Sequence, residues 1–183
     1  MLGRMYFRLR SVFNKLRLYF IYRFEGIEGV SRFIFTCENP AKVLAKFGAK
    51  IGQNTSVGNF LVLHNAAGDY SNLTIGSNVH VGKNCLFDLA DRIEIGDNAV
   101  VAMKTSLITH LNVGESPLKT AYPARTGPVR IESGAVVMTG VTVRHGVTIG
   151  RKSLVGAGAV VISDIPPDSL AVGVPARVVP RKP

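Results

Sequence analysis

Aliphatic residues recur at every sixth position over 131–162, and that period constrains the fold more than any other feature of the chain. Ile131, Val137, Val143, Ile149, Val155 and Val161 hold the phase, with Gly, Ala, Ser, Thr and charged residues between them. Neither the 3.6-residue period of a helix nor the alternation of a strand gives this spacing. A fixed short repeat builds a solenoid, in which each rung buries its aliphatic side chain on the rung below. Three upstream triplets keep the phase: Ile51, Val57, Leu63; Ile75, Val81, Phe87; and Ile95, Val101, Leu107. Three six-residue sides close one triangular coil of 18 residues. From Ile51 to Ile75 is one coil plus 6 residues, and from Ile75 to Ile95 one coil plus 2. From Ile95 to Ile131 is one coil plus 18, which requires a long excursion, and Ile131 to Ile149 is one clean coil. Gly follows the aliphatic residue at Gly52, Gly58, Gly76, Gly82, Gly96, Gly150 and Gly156. Its access to backbone angles that other residues avoid predicts sharp corners there.

A chain of 183 residues makes one domain, or one domain with an appended end. The spacing divides it into a basic, helical extension over 1–48, a solenoid over 49–166 with an inserted loop at 111–130, and a tail over 167–183. In the extension, Leu2, Met5, Leu9, Val12, Leu16, Phe20 and Phe24 recur at helical spacing. Arg4, Arg8, Lys15 and Arg23 are interleaved, with Tyr6, Phe7, Phe13, Tyr19 and Tyr22 adding aromatics. No apolar run has transmembrane length, and 18–22 is too short for a signal-peptide core. Two readings of this helix stand side by side. It covers the open first coil, as a solenoid needs, or residues 1–25 lie on an anionic bilayer. A second helix is expected from Pro40 to Phe47, ending at Gly48.

Lys and Arg number 22 against 12 Asp and Glu, a formal net charge of +10. That balance suggests an anionic partner: a phosphorylated cofactor, nucleic acid or a membrane surface. The basic residues gather at the two ends without a recognisable nucleic-acid motif, which disfavours nucleic acid. Cys37 and Cys85 have no metal or redox spacing. Two free thiols fit a reducing compartment, hence a cytoplasmic setting, extended to the inner face of the membrane if the helix binds lipid.

Two interruptions carry chemistry. Residues 63–72 have loop composition and hold His64, Asn65, Asp69 and Tyr70, polar groups of the kind that build sites on loops. The second interruption follows Thr109-His110 and contains Pro117, Pro123 and Pro128, which disfavour a helix. A long loop without its own secondary structure in a compact fold is often functional.

Together the repeat, the Thr-His before a loop, and the ending Gly156-Ala157-Gly158-Ala159, Asp164-Ile165-Pro166-Pro167 and Gly173-Val174-Pro175-Ala176-Arg177 resemble the hexapeptide-repeat acyltransferases. The galactoside and maltose O-acetyltransferases and the acetyltransferases of bacterial surface-polysaccharide pathways are closest in pattern. The resemblance covers about residues 49–180 and leaves the first 48 unmatched. It implies an all-β solenoid, a left-handed parallel β-helix, and a homotrimer with each active site between neighbouring subunits. It further implies acetyl transfer from acetyl-CoA to a hydroxyl of a sugar or glycan precursor, with no metal.

A hydroxyl is a poor nucleophile at neutral pH, so a base must take its proton as it attacks the thioester carbon. The resemblance puts that base on His110, whose other ring nitrogen needs a carbonyl or carboxylate to hold the tautomer. For CoA it points to Thr139, Ala157, Ser163 and Arg177. Ile162-Ser163 stands where the family often has Thr-Lys, and Arg177, Arg181 and Lys182 could supply the missing charge. Glu132 and Met138 replace the usual Gly and leave that coil's corner geometry open. For the acceptor it points to Asp88, then Asn84 and Asp91, with Asn65 and Asp69 as weaker candidates. His145 is read as a surface residue and His80 as facing outward or toward a neighbouring subunit. The alternatives are N-acylation of an amino sugar, which needs the same base, a metalloenzyme resembling the γ-class carbonic anhydrases, and a non-catalytic scaffold. The metalloenzyme would need three converging His ligands, and His64, His80, His110 and His145 lack that class's short spacing.

Overall fold

The computed structural model describes residues 2–180, with side chains described from Leu16 onward. Expectations resting on the side chains of residues 2–15, or on Arg181 and Lys182, lie outside the described residues. The chain winds into a three-sided parallel β-helix. Its first three coils are β1 (Lys50–Ile51), β2 (Ser56–Val57) and β3 (Val62–His64); β4 (Leu73–Ile75), β5 (His80–Val81) and β6 (Leu86–Asp88); and β7 (Ile93–Ile95), β8 (Val100–Val101) and β9 (Ser106–Leu107). An excursion follows, made of β10 (His110–Leu111) and β11 (Arg125–Thr126). Winding resumes with β12 (Val129–Ile131), β13 (Val136–Val137) and β14 (Thr142–Val143), then β15 (Thr148–Ile149), β16 (Leu154–Val155) and β17 (Val160–Val161). The last elements are β18 (Leu170–Val172) and β19 (Arg177–Val179).

The first face of the prism is β1-β4-β7-β12-β15, and the third is β3-β6-β9-β14-β17. The second, β2-β5-β8-β13-β16-β18-β19, ends on an antiparallel strand. The registers reproduce the sequence triplets residue for residue. On the first face Ile51, Ile75, Ile95, Ile131 and Ile149 pair in succession. On the second Val57, Val81, Val101, Val137 and Val155 pair. On the third Leu63, Phe87, Leu107, Val143 and Val161 pair. All but Ile51 are buried, and each buried aliphatic side chain contributes roughly 1.5–3 kcal/mol relative to exposure. β18 pairs in parallel with β16, so the winding runs past the expected boundary at 166.

The corner glycines act differently from expectation. A Cβ on Gly76 would lie 2.4 Å from Asp97 Oδ1 and 2.7 Å from the Asp97 nitrogen. Glycine is needed there because successive coils touch, not for its φ. The left-handed angle falls three residues after the aliphatic one, at Asn54, Asn78, Asn84 and Asn98, and at Gly134, Gly140, Gly146 and Gly158. Asn tolerates that region because its short polar side chain bonds locally. Glu132 and Met138 are therefore accommodated, since Gly134 and Gly140 make those turns.

The excursion has structure of its own, contrary to a bare loop. β10 and β11 form an antiparallel hairpin with His110 opposite Thr126, and a 3-10 turn spans Pro117–Lys119. Winding resumes at Val129, before the expected end of the loop at 130.

The described parts of the N-terminal helices cover the first coil. α1 (Leu2–Thr36) breaks at Gly26, where φ is 62° and ψ −156°. α2 (Pro40–Lys46) starts at Asn39, whose side chain accepts from the Lys42 N–H. Val30, Ile34 and Leu44 are fully buried beneath these helices. The Phe60 N–H donates to the Phe35 carbonyl at 2.8 Å, tying α1 to the approach to β3. Tyr70, expected as a site residue, is instead a buried strut: its hydroxyl lies 3.0 Å from Ser31 Oγ, and burial pushes its pKa up to about 12. No helix among the described residues is long and apolar enough to cross a membrane.

Candidate active site

Asn65, Asp88 and His110 each follow a third-face strand or end one, so winding stacks them on a single corner, where the third face turns into the first. Asp88 is the centre of this corner, with its side chain 2% exposed. Its Oδ1 accepts from Asn65 Nδ2 at 2.7 Å. Its Oδ2 accepts from the Thr109 N–H at 2.8 Å and from His110 Nδ1 at 2.5 Å. The Thr109 hydroxyl lies 2.7 Å from the Asp88 carbonyl and 3.0 Å from Oδ2, and accepts from the Asp91 N–H at 3.0 Å. Asn65 can reach inward because its backbone takes the left-handed conformation, φ 56°. Burial alone would raise the Asp88 carboxyl, but the hydrogen bonds from His110, Asn65 and Thr109 outweigh it and hold the group at about 2.

This arrangement names the partner that the sequence left open. Asp88 was expected to bind an acceptor, but both its oxygens are committed to protein donors. A carboxylate can only accept, so the Asp88 contact is made by an Nδ1–H of His110, which leaves Nε2 as the ring nitrogen that can face the cleft. Asn65 Nδ2 also approaches His110 Nδ1, at 3.4 Å. With the Nδ1 proton given to Asp88, that approach is packing rather than a second bond. The His110 side chain is 32% exposed, so its ring is reachable from solvent. It opens on a cleft of about 730 Å³ whose walls include Glu28, Asn65, Ala90, Asn112 and Arg125. That volume is in the range of small-ligand sites.

Two of these residues were not read from sequence. Glu28 arrives from α1, outside the matched stretch, and no local pattern marks it. The Thr109 side chain is fully buried and clamps Asp88, although Thr109-His110 was singled out only as the entry to a loop. His145 is a correction. It is buried, 9% exposed, and not a surface residue, because Gly127 of the returning chain lies over Gly146. Burial, then the charges of Arg144, Arg125 and His110, lower its pKa. Asn84 is on an exposed corner with φ 58°, and Asp69 is exposed and accepts from the Ser71 N–H at 2.9 Å. Asp91 accepts from the Arg92 N–H. None of these three lines the cleft.

The residues expected to hold CoA are split. Thr139 and Ala157 stack one coil apart where the second face turns into the third, and the Gly158 N–H donates to the Thr139 carbonyl at 2.9 Å. The 173–176 turn covers this corner from above: the Ala176 N–H donates to the Val160 carbonyl at 2.8 Å, and Arg177 follows it. Ser163 instead lies one coil above His145, on the corner that carries His110. The four histidines do not converge. His80 is on the second face, where Nδ1 is 2.9 Å from Ser56 Oγ. No three His, Cys, Asp or Glu side chains form a metal-binding group among the described residues.

Comparison with known proteins bears on this geometry. Residues 128–163 match the family described as bacterial transferase hexapeptide, six repeats, and residues 72–105 match the hexapeptide repeat of succinyl-transferase. The galactoside O-acetyltransferase of Escherichia coli is 34% identical over 110 residues, 57% of this chain and 52% of that enzyme. The chain thus spans about half the length of that curated relative. The crystal structure of a maltose O-acetyltransferase from Clostridium difficile is 27% identical with a TM-score of 0.72, covering 88% of this chain and 86% of the other. A galactoside acetyltransferase solved in complex with coenzyme A is 26% identical with a TM-score of 0.71, covering 82% and 76%. The winding is that of the left-handed parallel β-helices.

Proposed function

We propose that this chain, a hexapeptide-repeat protein with the fold of the galactoside and maltose O-acetyltransferases, transfers an acetyl group from acetyl-CoA to a hydroxyl of a sugar or glycan precursor. The observation that carries the proposal is the Asp88–His110 pair, held by Asn65 and Thr109 at the edge of an open cleft. His110 Nε2 takes the proton of the acceptor hydroxyl as its oxygen attacks the acetyl carbonyl carbon. The carbon–sulfur bond then breaks, the acetyl ester is left on the acceptor, and the proton passes from His110 to the departing thiolate. Asp88 stays ionised throughout and stabilises the imidazolium between those two transfers. Asn65 keeps its side-chain carbonyl oxygen available to the cleft, where it can accept from an acceptor hydroxyl.

The acting unit in this proposal is a homotrimer. One chain holds the base on one corner of the prism and Thr139, Ala157 and Arg177 at another, so a neighbouring copy must bring its donor corner to His110. The half-buried outer strip of Val100, Val136, Leu154 and Leu170 on the second face offers an apolar surface for such packing. The backbone around Ala157 would line the pantetheine arm, and Arg177 would meet the nucleotide phosphates. The expected setting is cytoplasmic, which suits the two free thiols of Cys37 and Cys85.

Thiol release from acetyl-CoA against a panel of sugars tests this directly. Acceptor-dependent release that falls at least about 100-fold in His110→Ala is the expected result. Retention of most of the activity by that variant would remove His110 from the reaction.

A further inference from the structure

The segment before Gly26 does more than cover the first coil. Residues 16–25 turn back on 27–36 as a helical hairpin. The Arg17 guanidinium sits 5.6 Å from the centre of the Phe33 ring, and a Cβ on Gly29 would lie 2.8 Å from Ile21 Cγ2. In one continuous helix, residues 21 and 29 would be about 12 Å apart. Leu18 is buried in this hairpin, and Tyr22 meets the Phe47 ring at 5.0 Å. The inner side of the segment is therefore satisfied by the protein.

Its outer side is apolar. Leu16, Tyr19, Phe20 and Phe24 are 54%, 60%, 54% and 77% exposed, and the Phe20 and Phe24 rings stack at 6.3 Å. A water-facing helix normally turns charged and polar residues outward. A contiguous exposed apolar face marks a surface that something else covers. The charge on the same segment indicates what. Over residues 1–25, Arg4, Arg8, Arg10, Lys15, Arg17 and Arg23 oppose Glu25 alone, which is half of the chain's net charge of +10. Aromatic rings with interleaved basic residues suit the boundary of an anionic bilayer, where the rings enter the headgroup layer and the cations meet lipid phosphates.

This surface adjoins the cleft. Glu28 lines the same cleft as His110 and follows Phe24 by four residues. Even a fully extended chain puts their Cα atoms no more than about 14 Å apart.

We propose that the outer aromatic face of residues 16–24 docks on an anionic lipid bilayer and so presents the His110 cleft to an acceptor carried on that bilayer. Docking stands independently; delivery of the acceptor rests on the acetyltransferase reading.

The test uses the full chain. In flotation, the protein should be recovered with vesicles of phosphatidylglycerol and phosphatidylcholine at least tenfold more than with phosphatidylcholine alone. Raising the salt should release it, because exposed charges are screened within about 10 Å at 0.1 M. Phe20→Ser combined with Phe24→Ser should lower recovery at least tenfold without changing the mass measured by light scattering. Equal recovery on the two vesicle types, or of the variant and the parent, would overturn docking. A smaller mass for the variant would overturn it too, by making this face a contact between copies. Acetyl transfer is then compared on monoglucosyl diacylglycerol held in the anionic vesicles and on soluble methyl glucoside. The variant should lose about tenfold on the vesicle-borne acceptor and keep its rate on the soluble one. Equal loss on both would overturn delivery of the acceptor. Vesicle binding with no thiol release on any acceptor would overturn the transferase reading and leave docking in place.

Discussion

Two corners of the same prism are built on opposite plans. Where the third face turns into the first, Asn65, Thr109 and His110 converge on one buried carboxylate, and both carboxylate oxygens of Asp88 have partners in the same chain. Where the second face turns into the third, Thr139 and Ala157 are exposed, small, and bonded to each other's coil only through backbone. The difference teaches where preorganisation is needed. Proton transfer, the role proposed for this corner, depends on holding one ring nitrogen in a fixed orientation, and the network around Asp88 would supply that. On the proposed reading the second corner would take a long flexible thioester, and its small exposed residues leave room for one.

Substitution of His110, the proposed base, breaks this comparison most severely. His110→Ala should lower acceptor-dependent thiol release by about 10²–10⁴-fold with little change in KM for acetyl-CoA, as read by steady-state kinetics. Asp88→Asn comes next. It should cost about 10²–10³-fold in kcat, because a neutral amide neither stabilises the imidazolium nor accepts equally from the Thr109 N–H. If Asp88→Asn kept full activity, the corner would not be preorganised for proton transfer.

Asp88 should also be visible in stability. Its pKa is about 2 in the fold, below the ordinary value of 3.8, so the folded chain binds this proton more weakly than the unfolded chain does. The stability it contributes, about 2 kcal/mol, is fully present above roughly pH 4 and is lost as pH falls through 2. Acid unfolding of the wild type and of Asp88→Asn should therefore converge near pH 2 and separate above pH 4. A constant difference across that range would assign the loss to packing.

Smaller effects are expected from the open corner. Ala157→Arg should raise KM for acetyl-CoA about tenfold and leave the unfolding free energy within about 0.5 kcal/mol, as exposed substitutions do. The smallest effect belongs to Asn65→Ala, since Asp88 keeps its other donors. The bond is worth about 1 kcal/mol, so a fewfold fall in kcat is expected, read beside the larger loss in Asp88→Asn.

Most of the winding was legible without coordinates. The six-residue phase gave each inward side chain its partner in the next coil, including Phe87 in a column otherwise aliphatic. That works because a solenoid repeats its contacts locally, so sequence distance maps onto space. His110 was legible for a different reason, through its motif. The partners of Asp88 were not, because Asn65 and Thr109-His110 come from the coils on either side of it. Asn84 turns the corner between the second and third faces, away from the His110 of its own chain, which nearness in sequence did not reveal. Glu28 and the buried state of His145 were out of reach, since each is set by a segment that returns from far along the chain.

By itself the sequence determined a three-sided stack of aliphatic rungs, its interruptions, and a histidine at the mouth of the longest one, because short-range periodicity is written directly in residue types. Only the tertiary structure decided that both Asp88 oxygens bond inside the chain, one of them to the imidazole, and that α1 folds back to leave an aromatic face outward. Those outcomes turn on burial and hydrogen-bond geometry between elements far apart in the chain, and no local pattern carries them.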